Sequence, residues 1–450
     1  MHPETTNPAR SWRDRAWAVS VWSVAAAFGT YFCMYGFRKP FTAASYSGLE
    51  FIGLDYKSVL VIAQVFGYTV SKFLGIKFVS EMPPHRRAIA VVLLIGSAEA
   101  ALILFACTPA PWNLIWLFVN GLPLGMVFGL VLGFLEGRRQ SEALTAGLCA
   151  SFIVADGVVK SVGAKLLNWG VAEFWMPAAA GAIFSVPLLG FVGMLRQIPP
   201  PSARDREARS LRPTMDAVRR GRFFRRYAPG VILLALAFLL VTILRSLRAD
   251  FAPEIWRGLT AQVDAGVFAR SETIVGFVVL ALFAGTASLA NHRLAFSSAM
   301  ALAVSGSAMI GLSVLALSSG LPPFWFMVLV GLGLYLPYIA VHVTIFERLI
   351  AMTRDEANVG FLMYLVDSFG YLGYVSVLVA RNFLAPSATF ISLFLTLSVV
   401  ISVACVLLLL PCWVYFLRHP AARQSMGMPQ VDFVIDSTTV VASPGAGARS

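Results

Sequence analysis

The sequence predicts an all-α membrane protein in which twelve transmembrane helices form two pseudo-symmetric six-helix halves. Composition gives the first indication, because the chain of 450 residues is 58% hydrophobic and only 13% charged, with a mean hydropathy of +0.76. Soluble domains are roughly half apolar and about a quarter charged. The second and third indications are the number of long apolar runs and an internal repeat.

Twelve apolar runs cover most of the chain, and most reach the roughly 20 residues that a helix needs to cross the hydrocarbon core. They lie at residues 17–40, 58–78, 87–107, 112–135, 144–167, 173–195, 228–248, 271–290, 293–317, 324–346, 357–381 and 388–417. Only a very tight turn at 291–293 separates the eighth run from the ninth. The first run is too long for the core of a cleavable signal peptide, and no small-residue cleavage site follows it.

Arginine and lysine residues predict the orientation. They concentrate in the N-terminal segment and in the loops on one side, above all in 196–227, and the other loops are nearly bare. The positive-inside rule then places both termini in the cytoplasm, and this bias explains the net charge of +12 without any nucleic-acid partner. The predicted organisation is a cytoplasmic N-terminus (1–16), an N-terminal six-helix bundle (17–195), a basic cytoplasmic linker against anionic lipid (196–227), a C-terminal six-helix bundle (228–417) and a disordered cytoplasmic tail (418–450).

The two halves echo each other. Glu136 and Glu347 are 211 positions apart, and so are Asp156 and Asp367. Arg38-Lys39-Pro40-Phe41 at the end of the first run is echoed by Arg248-Ala249-Asp250-Phe251 at the end of the seventh. Internal repeats with a binding site near the midplane between them are typical of secondary transporters.

Charged residues inside the apolar runs are the candidates for function. A charge at membrane depth costs at least ~2.5–3.5 kcal/mol and therefore faces a water-filled cavity or a partner. The embedded residues are Arg38, Lys39, Lys72, Glu99, Asp156, Lys160, Arg245, Arg248 and Asp367. Cations inside a polytopic bundle favour an anionic ligand, to which Tyr35 could add a hydroxyl contact. Glu99 in the third run and His342 in the tenth are weaker candidates.

Two structural alternatives concern the ends of the first and seventh runs. On a helix, Arg38 and Lys39 point about 100° apart, so only one of them can line a given cavity. Both could instead reach the outer headgroups from a helix end. Arg245 and Arg248 share one helix face, and Asp250 could neutralise either of them.

The intramembrane carboxylates also allow two interpretations. Asp156 and Lys160 are four residues apart, which suits a mutually neutralising pair or a titrating carboxylate beside an anion-binding lysine. Asp367 has no such neighbour, since the nearest cations visible in the sequence are Arg354 and Arg381, more than two turns away. A lone intramembrane carboxylate favours a functional role.

An enzyme is the least favoured class. The sequence has no nucleophile elbow or cofactor loop, and its glycine-rich stretches lie inside apolar helices. The histidines are scattered and form no metal-ligand cluster, so we expect no metal and no cofactor. The five cysteines have no paired spacing and are expected to be free, buried thiols: Cys33, Cys107, Cys149, Cys405 and Cys412.

Three short motifs resemble the organophosphate:phosphate antiporter family of the major facilitator superfamily. They are Tyr-x-x-Arg-Lys-x-Phe at 35–41, Gly-x-x-x-Ser-Lys-Phe at 67–73 and Leu-Arg-x-x-x-x-Asp-aromatic-x-Pro at 244–253. The resemblance implies a twelve-helix fold over 17–417. It also implies a phosphate gripped by Arg38 and Arg245, with Lys39 and Lys72 as supporting cations. Asp156 stands where that family has a histidine.

The sequence therefore predicts a secondary active transporter, in a bacterial inner membrane, for a small anionic solute that the resemblance suggests is phosphorylated. The predicted substrate-binding residues are Tyr35, Arg38, Lys39, Lys72, Lys160, Arg245 and Arg248, and the predicted coupling or gating residues are Glu136, Asp156, Glu347 and Asp367. A proton or inorganic phosphate is the expected counter-substrate. Two alternatives are a proton-coupled transporter of a non-phosphate organic anion and a transporter-like organophosphate receptor.

Overall fold

The computed structural model describes residues 16–135, 138, 141–200, 217–353, 359–384 and 389–419. The long apolar runs form helices, because a helix satisfies its own backbone hydrogen bonds where lipid offers none. The N-terminal half contains α1 (Ala16–Tyr35), α2 (Tyr56–Glu81), α3 (Pro84–Cys107), α4 (Leu114–Leu135), α5 (Ser141–Asn168) and α6 (Met176–Arg196). The C-terminal half contains α7 (Ala217–Asp250), the short α8 (Ala252–Leu259), α9 (Val267–Ala287), α10 (His292–Ser318), α11 (Pro323–Ile339), α12 (Phe346–Thr353), α13 (Val359–Leu384) and α14 (Phe390–Arg418).

The predicted fold class is confirmed. Within the described residues, eleven helical segments are long and apolar enough to cross a membrane, and α13, 26 residues long, occupies the remaining predicted run. Apolar side chains such as Leu93, Val186, Leu312 and Leu407 are exposed on the outer faces of their helices, as lipid-facing positions require. The predicted tight turn between α9 and α10 is also present. The Asn291 side chain stabilises it by accepting hydrogen bonds from the backbone at the start of α10.

The two halves meet along two helix pairs, α5 with α9 and α2 with α13. Gly157 shows how close the first pair is. A Cβ added there would collide with the backbone oxygen of Phe268 and lie 2.6 Å from the Cβ of Glu272. We call the end of the bundle where α6 ends and α7 begins the linker end, and the end where α1 passes into α2 the far end.

Three local features depart from the predicted runs. Helix α1 ends at Tyr35, before Arg38, and a single 3₁₀ turn follows at Pro40–Ala43. Helix α7 begins at Ala217, inside the predicted linker. A six-residue π-helical segment, Ala340–Ile345, joins α11 to α12; such segments are rare and often mark functional sites.

A small hairpin at the far end was not predicted. Strand β1 (Glu50–Phe51) pairs antiparallel with β2 (Leu54–Asp55) across a two-residue turn. Ile52 and Gly53 both have positive φ in that turn, as a type I′ hairpin requires.

The five cysteines are free, as predicted. The prediction that they are buried was right for four of them and wrong for Cys107, which is exposed at the end of α3.

Candidate functional site

The break in α1 brings Arg38 and Lys39 to the centre of the bundle. The backbone oxygen of Arg38 accepts a hydrogen bond of 2.8 Å from Gln64 Nε2, which also donates to Asn120 Oδ1. Asn120 Nδ2 donates in turn to the backbone of Phe37 at 3.1 Å. This network satisfies the backbone where the helix stops. Because the two basic residues lie in a turn, both line the same cavity, so the prediction that only one could do so was wrong. Their burial also excludes headgroup contact.

Arg38 and Arg245 face each other from the two halves, and each lies against tyrosine rings. The guanidinium carbon of Arg38 is 3.8 Å from the ring centre of Tyr68, and that of Arg245 is 4.2 Å from the ring centre of Tyr338. Arg245 Nη2 also lies 3.5 Å from the hydroxyl of Tyr371. The side chains are 4% and 7% exposed. Neither has a carboxylate within ion-pair distance among the described residues, and both Nε atoms lack a hydrogen-bond partner there.

Two small adjoining cavities surround these arginines. Both are lined by Tyr35, Arg38, Phe152, Arg245 and Tyr371. The first extends toward the far end and the second toward the linker end. Two buried cations from opposite halves thus face one shared space.

Ion pairs close the first cavity at the far end. Lys39 at the end of α1 pairs with Asp250 at the end of α7. Tyr374 donates a hydrogen bond of 3.0 Å to the second oxygen of Asp250. Nearer the surface, Lys57 Nζ lies 2.7 Å from Glu254 Oε1. Both ion pairs join the N-terminal half to the C-terminal half. Asp250 therefore neutralises Lys39, and the alternative in which it neutralises Arg245 or Arg248 was wrong.

A third pair joins the halves nearer the linker end. Lys72 of α2 pairs with Asp367 of α13. The other oxygen of Asp367 lies 3.5 Å from both His342 Nε2 and the hydroxyl of Tyr338. Asp367 therefore has a cationic partner on the opposite half, 295 positions away in the sequence. No single-helix pattern could reveal this partner.

Two predicted substrate-binding cations lie outside the cavity lining. Arg248 Nη2 is 2.7 Å from Glu272 Oε1 and donates a 2.8 Å hydrogen bond to the backbone of Met327. Lys160 pairs with Asp156 within α5, the neutralising arrangement that the spacing allowed. Asp156 itself lines the first cavity, and its Oδ1 has no hydrogen-bond partner among the described residues.

Of the two predicted gating glutamates, the structure describes Glu347, and that residue is not part of this arrangement. Glu347 lies in the first turn of α12, beyond the π-helical segment, and lines neither cavity. Glu136 lies outside the described residues. Of the predicted set, the structure gathers Tyr35, Arg38, Lys39, Lys72, Asp156, Arg245 and Asp367 around the two cavities.

Two residues that line the cavities, and one partner of a predicted residue, were missed or ranked low. Tyr371 lines both cavities and sits one turn after Asp367, so a one-face reading of α13 would have found it. Glu272, the partner of Arg248, is a charge inside the eighth apolar run and gave the same signal as the other embedded charges. His342 was a weak candidate because the sequence did not show the π-helical turn beneath it.

These features define a class. Two six-helix halves with a charged central cavity between them are the architecture of the major facilitator superfamily. The crystal structure of a D-xylose-proton symporter superposes with a TM-score of 0.59 at 12% sequence identity, over 90% of this chain and 97% of that chain. The chain therefore has the major facilitator fold and is a multi-pass integral membrane protein. At this level of identity the likeness concerns the fold alone.

The amino-acid sequence assigns the chain to a family that is narrower than the fold. The chain belongs to the family of unknown function DUF5690, whose model matches residues 40–419. That range begins after Arg38 and Lys39 and contains the other residues of the ion pairs. No curated protein sequence matches the chain.

Proposed function

We propose that this protein is a secondary active transporter that moves a small anionic, phosphorylated solute by alternating access between its two halves. The observation that carries the proposal is the pair of buried arginines, one from each half, that face a shared cavity and have no carboxylate partner among the described residues.

The distribution of charge around the cavities favours an anion. Each of the three carboxylates that line them is paired with a lysine. Arg38 and Arg245 remain as the cations without such a partner in the described structure. A buried charge without a counter-ion is costly, and an anionic ligand removes that cost when it binds. The cavity is therefore complementary to a ligand that brings negative charge.

The chemistry of arginine favours a phosphate over a single carboxylate. A guanidinium presents a planar fork of donors that matches two oxygens at once. Arg38 and Arg245 offer two such forks, and a phosphate monoester carries about −1.5 to −2 charges at neutral pH. The tyrosines that flank the arginines add hydroxyl groups and ring faces for the organic part of the solute.

The inter-half ion pairs supply the two states that transport requires. Lys39–Asp250 lies on the far side of the arginines and Lys72–Asp367 on the linker side. Opening either end requires its ion pair to separate while the other holds. The two states are one open at the far end and one open at the linker end. A ligand that contacts both arginines draws the halves together and so shifts the population between these two states.

The proposed setting is a bacterial inner membrane with the linker end in the cytoplasm. Basic side chains such as Arg86, Arg138 and Arg196 lie at the linker end, as the positive-inside rule expects. Exposed tryptophans at the far end, Trp112 and Trp169 among them, suit the opposite membrane interface.

The test is exchange of labelled inorganic phosphate into proteoliposomes preloaded with unlabelled phosphate. Arg38→Gln and Arg245→Gln should each lower exchange by roughly ten- to a hundredfold, since a hydrogen bond to a charged group contributes about 1.5–3 kcal/mol. Arg270→Gln is the matched control, because that arginine is 63% exposed and far from the cavities.

Thermal stability separates loss of binding from loss of folding. Because Arg38 and Arg245 are buried and have no carboxylate partner in the part of the chain that the structure describes, their neutralisation should leave the unfolding temperature unchanged or raise it. Exchange at the wild-type rate in both variants would refute the proposed clamp. Phosphate binding without exchange by wild type would instead indicate a receptor.

A further inference from the structure

The second cavity contains a cluster that the anion clamp does not explain. We call Lys72, Asp367, His342 and Tyr338 the coupling cluster. Asp367 stands at its centre, paired with Lys72 through one oxygen and 3.5 Å from His342 Nε2 and the Tyr338 hydroxyl through the other. His342 is held on the π-helical segment, where its Nδ1 lies 3.1 Å from the backbone oxygen of Tyr338. All four side chains are buried.

Lys72 belongs to this cluster and also to the anion site. Its ammonium lies 5.3 Å from the ring centre of Tyr68 and 4.9 Å from that of Tyr371. Tyr68 is the ring on which Arg38 lies, and the hydroxyl of Tyr371 is the one near Arg245. An anion held between the two arginines therefore lies within reach of Lys72 and competes with Asp367 for it.

The departure of Lys72 changes the state of Asp367. The carboxylate is only 7% exposed and would lose its one cationic partner in the described structure. A buried carboxylate without a counter-charge is destabilised, and it is neutralised by taking up a proton. His342 lies close enough to share that proton, so the uptake belongs to the Asp367–His342 pair rather than to either residue alone.

We propose that the coupling cluster binds one proton for each anion that the arginines bind, so that anion transport is coupled to protons in the same direction. The inference rests on the proposed function. No covalent bond other than that to the proton forms or breaks: the proton comes from water and resides on Asp367 or His342 Nε2. It leaves when Lys72 returns to Asp367 after the anion is released.

Several other groups surround His342. Phe238 of α7 stacks near its ring at 5.2 Å, and Tyr338 on its own helix at 4.4 Å. The charged and titratable side chains that share its cavity are Tyr31 and Tyr35 of α1, Arg38 in the turn that follows, Tyr68 and Lys72 of α2, Arg245 of α7, and Asp367 and Tyr371 of α13, with the thiol of Cys149 on α5 also interacting with Asp367. Three of these groups are cations, and Asp367 is the one carboxylate among them.

The experiment compares phosphate exchange with accumulation driven by a proton gradient. Labelled phosphate is added to proteoliposomes at a constant external pH, so the ionisation state of the external phosphate does not vary. The internal pH is either equal to the external pH or higher. Potassium and valinomycin clamp the membrane potential. Wild type should accumulate phosphate by about tenfold for each pH unit of gradient per coupled proton. A proton ionophore should abolish that accumulation.

Asp367→Asn should separate the two activities. Asparagine imitates the protonated carboxyl and leaves Lys72 to the anion, so accumulation should fall to the level seen with matched pH, even where loss of the linker-end ion pair also slows exchange. His342→Gln should lower accumulation relative to the exchange that the same variant retains, with His85→Gln, at an exposed position, as the matched control. His342→Gln also tests the proposal if Asp367→Asn fails to fold.

The outcomes distinguish the two proposals. Proton coupling is overturned if wild type exchanges phosphate but does not accumulate it in response to the gradient. It is also overturned if both Asp367→Asn and His342→Gln accumulate phosphate fully. Neither result contradicts the proposed anion transport. Absence of any exchange by folded wild type overturns the proposed function and the coupling that rests on it.

Discussion

Replacing Asp250 by asparagine should open the far end of the protein. The substitution leaves the Lys39 ammonium buried between the halves without its carboxylate, and the two side chains are only 8% and 3% exposed. Removing one partner of a buried ion pair costs about 3–5 kcal/mol. Since about 1.4 kcal/mol is a tenfold change in an equilibrium, the ratio of closed to open far ends should fall by roughly two to three and a half orders of magnitude. The Lys57–Glu254 pair remains and limits the opening.

Distances between spin labels measure this change. Ser47 and Gln262 are exposed on opposite halves at the far end, and Arg86 and Leu294 are exposed on opposite halves at the linker end. The exposed Cys107 is first replaced by serine, which leaves four buried thiols. Asp250→Asn should lengthen the far-end distance and leave the linker-end distance unchanged or shorter.

A double variant provides the control for this prediction. Lys39→Met combined with Asp250→Asn removes both charges, so neither half keeps an unpaired ion and the far end should close again. A far-end distance distribution in Asp250→Asn that equals the wild-type one would refute the view that this ion pair holds the halves together.

Two further predictions concern the packing around the site. Glu272→Gln should lower the unfolding temperature, because Arg248 is then buried without its carboxylate at a cost of about 3–5 kcal/mol; an unchanged temperature would argue against a structural role for the pair. Gly157→Val should slow phosphate exchange and destabilise the fold, because its side chain would collide with Phe268. Gly190→Val, where nothing lies within 4 Å of an added Cβ, should change neither property.

The fold could be predicted from the sequence more completely than the contacts between the residues of the site. Apolar runs predicted the helices because burial in lipid demands length and composition that the sequence displays directly. The embedded charges marked Arg38, Lys72 and Asp367 as candidates for the same reason. The pairing of Lys72 with Asp367 could not be predicted from the sequence, because the two residues are 295 positions apart and meet only when the halves assemble.

The end of α1 shows a second limit of sequence reasoning. The apolar run extends to residue 40, yet the helix stops at Tyr35 because tertiary contacts from Gln64 and Asn120 satisfy the turn that follows. Local propensity does not contain those contacts. The error had a functional consequence, since it assigned Arg38 and Lys39 to different surfaces when both line one cavity.

The ion pair at the far end has a consequence for the ancestry of the chain. Lys39 and Asp250 are 211 positions apart, the same offset that relates Asp156 to Asp367, and the echo of Arg38 and Phe41 in Arg248 and Phe251 has an offset of 210. The pair therefore joins positions of the two repeats that are equivalent to within one residue. In a dimer of identical half-length chains, a twofold axis would set equivalent positions against each other and place lysine against lysine or aspartate against aspartate. Fusion of the two copies into one gene lets each position evolve by itself. The opposite charges that now meet there are thus a property that only the duplicated and diverged chain can have.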